Sequence, residues 1–449
     1  MTAIKHACWS DLYKTFTTQA NDWVVFFLNV STRREIYIMK ITSVKGTNDY
    51  LPNEVALRDY LQSVILGVYQ QNGFQRIMTP AVEDIENLDK SEGGDNLNLI
   101  FKIMKRGDKL TKAIESGDAA AIADLGLRYD LTLPLSRYYA GNKEKLIAPM
   151  KCIQIDKVYR AERPQKGRLR EFVQCDIDIL GSESPNCEVE LILTTAKALR
   201  AISMKNFTIK INDRRLLKSM LLGCGFLEEQ LDSVCITFDK LDKIDVEGVQ
   251  KELEEKEFSK EAIAKLVEIL GKRPFTLETV KEFCEDTTAI ENLEYIMDTV
   301  SKASKDAFDV QFDLSLVRGQ GYYTGTVFEV VSKDFRGAIA GGGRYDNLIG
   351  KFLNTSVPAV GFSIGFERIF SILLDNGFDI PTQKKKVAVL YQPTEFLSAN
   401  EKAEQLRSEY DVCMFEAPKK TSKFLNKIQE AGFYGFFILG QSEEVNVLS

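Results

Sequence analysis

The stretch VYRAERPQKGRLREFVQCDIDILG, residues 158–181, constrains the fold of this chain more than any other. It reads as a strand, a basic loop holding Pro164 and Gly167, and a returning strand. Side chains alternate along a strand, so on the return Val173, Cys175, Ile177 and Ile179 share one face. Phe172, Gln174, Asp176 and Asp178 share the other. One face packs on a core and the other is polar, as in an antiparallel sheet covered on one side. On the outgoing strand Arg160 and Glu162 share a face. Parity alone is met equally well by a hairpin whose polar face simply meets water. Arg160, Arg163, Lys166, Arg168 and Arg170, gathered around one tight turn, point further. Such a cluster suits a polyphosphate, because guanidinium groups bind phosphate oxygens bidentately.

The chemistry open to the chain is narrowed by what it lacks. His6 is the single histidine in 449 residues. Beyond it there is no Ser-His-Asp or Cys-His catalysis and no His-ligated metal. Arginines, carboxylates, backbone dipoles and a substrate-borne metal ion remain. The eight cysteines are scattered with no C-x-x-C pair, which argues for reduced thiols in a cytosolic protein. No apolar run approaches the ~20 residues that span a bilayer. The formal net charge of −7 means that a nucleic-acid partner needs a local basic surface.

Along the chain, residues 1–38 lack periodicity and caps and form a poorly specified extension. A chain started at Met39 is expected to be as soluble and active as the full one. Asn53 is placed to cap a helix running to about Gln71, where Asn72-Gly73 supplies a stop. Residues 39–224 form the first part of a β-rich domain, and 225–300 read as a charged helical insertion, as in KEAIAKLVEIL. Strands resume at FDVQFDLSLV (308–317) and run on to AVGFSIG (359–365) within a second part, 301–380. Residues 385–449 alternate strand and helix as a small α/β domain, expected to be truncated inside one more strand.

The 158–181 hairpin resembles motif 2 of the class II aminoacyl-tRNA synthetases, with its arginine, one residue, glutamate, basic loop and returning phenylalanine. GFSIGFERIFSILL (361–374) resembles motif 3, with Arg368 in the first turn of a helix, where the macrodipole disfavours a cation unless an anion offsets it. The helix after residue 53 and GFQRIMTPAVED, with Pro80, are similar to the dimer-forming motif 1. LVRGQGYYTGTVFEV (316–330), LRYDLTLPLSRY (127–138) and GGGRYDNLIG (341–350) resemble signatures of the histidyl-tRNA synthetases, and the likeness covers about residues 39–440.

The resemblance implies an α+β fold: an antiparallel-sheet catalytic domain with a helical insertion, then an anticodon-binding α/β domain. It implies activation of histidine by ATP to histidyl-adenylate and pyrophosphate, and transfer to the 3' end of the cognate tRNA by a cytoplasmic homodimer. Neither membrane nor DNA is a partner. Arg160 becomes the α-phosphate ligand, Glu162 an adenine-side contact, Phe172 the ring stacked on adenine, and Arg368 the residue packed on adenine and the γ-phosphate. Asp130, Thr132 and Gln174 hold the α-ammonium, the first two sharing a strand face. Asp178 and Tyr323 read the imidazole with Tyr322 beside them, since a carboxylate and a hydroxyl satisfy both ring nitrogens. Two adjacent strand tyrosines face opposite ways, so they are not both core. Arg318 neutralises the α-phosphate opposite Arg160. Magnesium bridges the phosphates, with no protein ligand assigned. The glycines at 341–343 read as pocket-wall backbone, since no Lys-Ser/Thr follows as in a P-loop.

The rival is a non-enzyme of the same lineage, the synthetase-like regulatory subunit of ATP phosphoribosyltransferase. An intact motif 2 and a C-terminal domain favour the enzyme. The chain departs from the family at Gln320-Gly321, where Leu-Asp is usual. Gly321 is where it is expected to differ most.

Overall fold

Alternation along the 158–181 hairpin builds the centre of the molecule. The computed structural model describes residues 40–89, 98–165, 168–238, 240–272, 275–284, 287–316, 322–381 and 383–448. The 1–38 extension, Lys166, Arg318 and Gln320-Gly321 lie outside these. The chain divides into two units, Met1–Asp49 and Tyr50–Ser449. In the first, the described residues make a turn closed by Thr47 N–H on the Val44 carbonyl at 2.9 Å.

In the second unit, the strands up to residue 365 are β1 (Gln75–Arg76), β2 (Val82–Asp84), β3 (Lys102–Met104), β4 (Ala123–Leu127), β5 (Met150–Tyr159) and β6 (Glu171–Leu180). They continue as β7 (Phe207–Asp213), β8 (Asp309–Phe312), β9 (Thr326–Ser332), β10 (Phe335–Arg344) and β11 (Ala359–Gly365). Among the described residues, eight of them form one sheet in the order β1-β5-β6-β11-β10-β9-β7-β8. The inner strands are antiparallel, and β1 and β8 join the edges parallel to β5 and β7. β2, β4 and β3 make a separate antiparallel ribbon.

Val173, Cys175, Ile177 and Ile179 of β6 enter the main core. They share it with Leu61 and Ile65 of the Pro52–Gln71 helix, Leu191 and Ile192 of the Asn186–Ala201 helix, and Ile369 and Leu373 of the Phe366–Asp375 helix. The opposite face of β6 is left for chemistry. The Pro52–Gln71 helix starts earlier than expected: Pro52 takes the first helical position, where its missing N–H costs nothing. Glu54 accepts the Leu51 N–H at 2.6 Å, so Asn53 is not the cap. Its side-chain oxygen accepts instead from Lys386 Nζ at 2.7 Å.

The parallel pairing of β7 with β8 requires a long crossover. Helices supply it, from Arg214–Cys224 through Thr287–Ser304, a wider span than the 225–300 expected. β8 is shorter than its sequence pattern, because Asp313 turns the chain by accepting the Ser315 N–H at 3.0 Å. The last segment forms β12 (Lys386–Tyr391), β13 (Asp411–Glu416), β14 (Gly435–Ile438) and β15 (Asn446–Val447), in the order β13-β12-β14-β15. Two helices pack on it over small cores of their own, around Val389 and Phe437 and around Leu390 and Ile428. No described helix is long and apolar enough to cross a membrane.

Candidate active site

The polar face of β6 runs from half-buried Phe172 and Gln174 to buried carboxylates. Asp176 and Asp178 are 4% and 3% exposed and line a cavity of about 220 Å³. Asp130, Thr132, Gln174, Tyr322 and Tyr323 line it too. A second cavity, of about 290 Å³, is lined by Arg160, Glu162, Phe172 and Arg368. The two meet at Gln174, Glu329, Gly341 and Ser363, which line both. All the site residues expected from sequence therefore fall on two adjoining cavities, Arg318 excepted, which lies outside the described residues.

Each is positioned by its local backbone. Arg160 follows the end of β5, not within the strand as expected, and its N–H extends the ladder onto the Arg170 carbonyl at 2.9 Å. Its Nε donates to the Tyr129 carbonyl at 3.0 Å, and its guanidinium lies 5.1 Å from the Phe172 ring centroid. Glu162, also past the strand, pairs with Arg168 at 3.0 Å. Arg368 sits in the first turn of the Phe366–Asp375 helix and donates to the Ala338 carbonyl. Burial and then the nearby Arg168 charge make its guanidinium less basic than usual. An anion bound there relieves both effects and meets the positive end of the helix dipole.

Asp130 and Thr132 share no strand face: β4 has ended, and the segment is the start of the Thr132–Asn142 helix. Asp130 Oδ1 accepts the Leu133 N–H at 3.1 Å, so the carboxylate caps this helix while it lines the cavity. Burial raises its pKa. Tyr322 and Tyr323 also precede their strand, β9, so the opposite-faces rule does not apply to them. Their rings meet edge to face at 5.2 Å and both line the cavity. The Tyr322 hydroxyl reaches Thr132 Oγ1 at 3.3 Å and Asp130 Oδ2 at 3.4 Å, which ties it to the Asp130 group.

Asp178 accepts the Tyr345 hydroxyl at 2.7 Å, yet burial outweighs this bond and pushes its pKa up to about 7. Gly361 makes room for it, and Gly342 makes room for the Gly361 backbone. A Cβ at Gly361 would fall 1.9 Å from Asp178 Oδ1, and one at Gly342 would fall 2.1 Å from the Gly361 carbonyl oxygen. Sequence reasoning gave no role to Asp176, Glu329, Tyr345 or Ser363. The parity of β6 placed Asp176 with its neighbours. The other three reach the site through the pairing of distant strands, which no local pattern announces.

The chain matches the family model described as histidyl-tRNA synthetase over residues 46–369. It is 44% identical to a histidine–tRNA ligase of Leifsonia xyli subsp. xyli, over 74% of this chain and 80% of that one. It is 35% identical to one of Christiangramia forsetii, over 90% and 92%. The crystal structure of histidyl-tRNA synthetase from Nostoc sp. PCC 7120 aligns with a TM-score of 0.72 at 27% identity, covering 89% of this chain and 91% of that one. A structure described as an ATP phosphoribosyltransferase regulatory subunit/histidyl-tRNA synthetase, from Bacillus halodurans C, also aligns at 0.72, with 89% and 98% covered. At 19% identity that likeness speaks of fold alone. With two thirds and more of its length matched to this one family, and an acidic cavity set against an arginine-bearing one on the face of its antiparallel sheet, the chain belongs to the histidyl-tRNA synthetase family.

Proposed function

We propose that this chain is a histidine–tRNA ligase that activates histidine with ATP and passes the histidyl group to the 3' end of its tRNA. The observation that carries the reading is the junction of the two cavities, acidic on one side and arginine-bearing on the other, with Gln174 in both walls.

In this reading Asp130, Thr132 and Gln174 hold the α-ammonium, while Asp178 and Tyr323 read the imidazole. Tyr322 supports the ammonium side through Asp130 and Thr132. The substrate carboxylate is thereby turned towards the arginine-bearing cavity, where it attacks the α-phosphorus of ATP and pyrophosphate leaves. No protein base is needed, because the nucleophile is already an anion. In-line placement and neutralisation of the phosphoryl oxygens lower the barrier. Arg160 and Arg318 supply that charge. Phe172 and Glu162 hold the adenine, and Arg368 packs on adenine and the γ-phosphate. Magnesium bound to ATP as part of the substrate would offset further negative charge on the phosphates. A ribose hydroxyl of the tRNA then attacks the acyl carbon of the adenylate and AMP departs. The C-terminal α/β unit contacts the anticodon region, and the protein works in the cytoplasm as a homodimer joined through the motif 1 region.

Histidine-dependent ATP–pyrophosphate exchange tests the reading. Exchange with histidine and with none of the other amino acids is the expected result. Histidine binding without exchange would instead identify the regulatory-subunit rival.

A further inference from the structure

The acidic cavity holds more negative charge than a histidine-binding site of the kind just described uses. Four carboxylates line it, those of Asp130, Asp176, Asp178 and Glu329, and no lysine or arginine does among the described residues. Asp130 and Asp178 have assigned tasks. Asp176 has none, although it stands on the same face of β6 as Gln174 and Asp178 and is nearly as buried as Asp178. Its cross-strand neighbours are Gln154 and Ser363, both uncharged. The Ser363 hydroxyl bonds to it, and Gln174 Nε2 lies 3.5 Å from its Oδ1. Gln174 Oε1 is buried without a hydrogen-bond partner, one more acceptor on the wall of the cavity.

A histidine with a neutral ring brings an ammonium and a carboxylate, so it adds no net charge to this site. Buried carboxylates left without a cation are costly. An imidazolium adds one positive charge and turns both ring nitrogens into donors, which acceptors on two sides can receive. We propose that Asp176 is a specificity-determining residue: with Asp178 it makes the cavity take the histidine side chain as its imidazolium cation.

The surroundings support the assignment. The acidic groups that face Asp176 are Asp178 on its own strand, Asp130 at the helix start and Glu329 on β9. Tyr322, Tyr323 and Tyr345 complete the cavity wall, and burial raises the pKa of each hydroxyl. Cys152 on β5, and Tyr69 and Cys175 behind the sheet, are held neutral by burial in the same way. Arg160 exerts a positive influence on Asp176, but burial and then the Asp178 charge outweigh it, so its pKa is raised. Burial thus penalises neighbouring carboxylates that lack a cation, and a substrate ring held as imidazolium, with an N–H on each side, supplies one.

The inference rests on the proposed histidine-binding reading, and calorimetry on the full chain separates the two. Histidine binding is measured at pH 8 in two buffers of different ionisation enthalpy, which counts the protons taken up. Wild type is expected to take up about one proton per histidine, so that Kd rises about tenfold per pH unit above 7. Asp176→Asn should take up less than about half of that and show a flatter profile, while Asp176→Glu, keeping the charge, should follow wild type. Needing no variant, a histidine analogue with a weakly basic 1,2,4-triazole ring should bind wild type at least about tenfold more weakly than histidine at pH 7. Binding of histidine without proton uptake, full uptake by Asp176→Asn, or equal affinity for the triazole analogue would each overturn the inference. No histidine binding at all would overturn the functional reading instead.

Discussion

Asp178 carries opposed demands. Its pKa of about 7 lies well above the ordinary carboxylate value, burial being the main cause. The folded chain therefore holds a proton on Asp178 between about pH 4 and 7 that the unfolded chain has released. Its contribution to stability is full below about pH 4 and is lost as the pH rises through 7. Asp178→Asn keeps an oxygen to accept the Tyr345 hydroxyl and cannot ionise. The variant should be more stable than wild type by about 2–4 kcal/mol at pH 8, with the advantage gone near pH 4. Urea denaturation at the two pH values measures this, and an equal difference at both would remove ionisation as the cause. The same variant should lose most histidine-dependent exchange, a case of stability given up for a binding group.

At the scale of elements, the site depends on one buried ion pair. Arg58 of the Pro52–Gln71 helix makes two hydrogen bonds, of 2.6 and 2.8 Å, to Glu367 at the start of the Phe366–Asp375 helix. Glu367 also accepts the Val173 N–H at 3.1 Å, so it ties both helices to β6 beside the arginine-bearing cavity. Glu367→Ala leaves the Arg58 guanidinium buried without this partner. A loss of about 3–5 kcal/mol in chemical denaturation is expected, and Arg58→Met together with Glu367→Leu should recover much of it. If the single variant lost no more than a surface pair does, the two helices would be held by apolar packing alone. This pair also marks what the sequence makes legible. The periodicity of the Pro52–Gln71 helix and the parity of β6 are local patterns, and they gave the faces that pack. That Arg58 would find Glu367, or Tyr345 find Asp178, depends on contacts across 309 and 167 positions, which no periodicity encodes. The strand reading of the Asp130 and Tyr322 segments fails for a related reason. Both lie just outside a regular element, where a side-chain cap or a turn decides the backbone.

For the whole molecule, the question is how far activation and tRNA charging can be parted. The two cavities are built from residues 130 to 368, on the eight-stranded sheet. The C-terminal four-stranded sheet has its own apolar clusters, and none of its residues enters the main core. One tie between the two regions is the hydrogen bond from Lys386 to Asn53, an exposed contact of the kind that contributes little. Phe378 and Ile380, by contrast, pack against the main core, so a chain ending at Pro381 keeps what the catalytic region needs. Such a chain should fold and retain histidine-dependent exchange within about threefold of the full protein, since no group of either cavity is removed. If the C-terminal unit contacts the anticodon region as proposed, charging of tRNA should fall by about a hundredfold or more at limiting tRNA, equivalent to ~2.7 kcal/mol of lost binding. Parallel exchange and aminoacylation assays on the two proteins decide it. Equal losses in both would mean that the C-terminal unit supports the catalytic fold itself, and the division of labour drawn from the separate cores would be wrong.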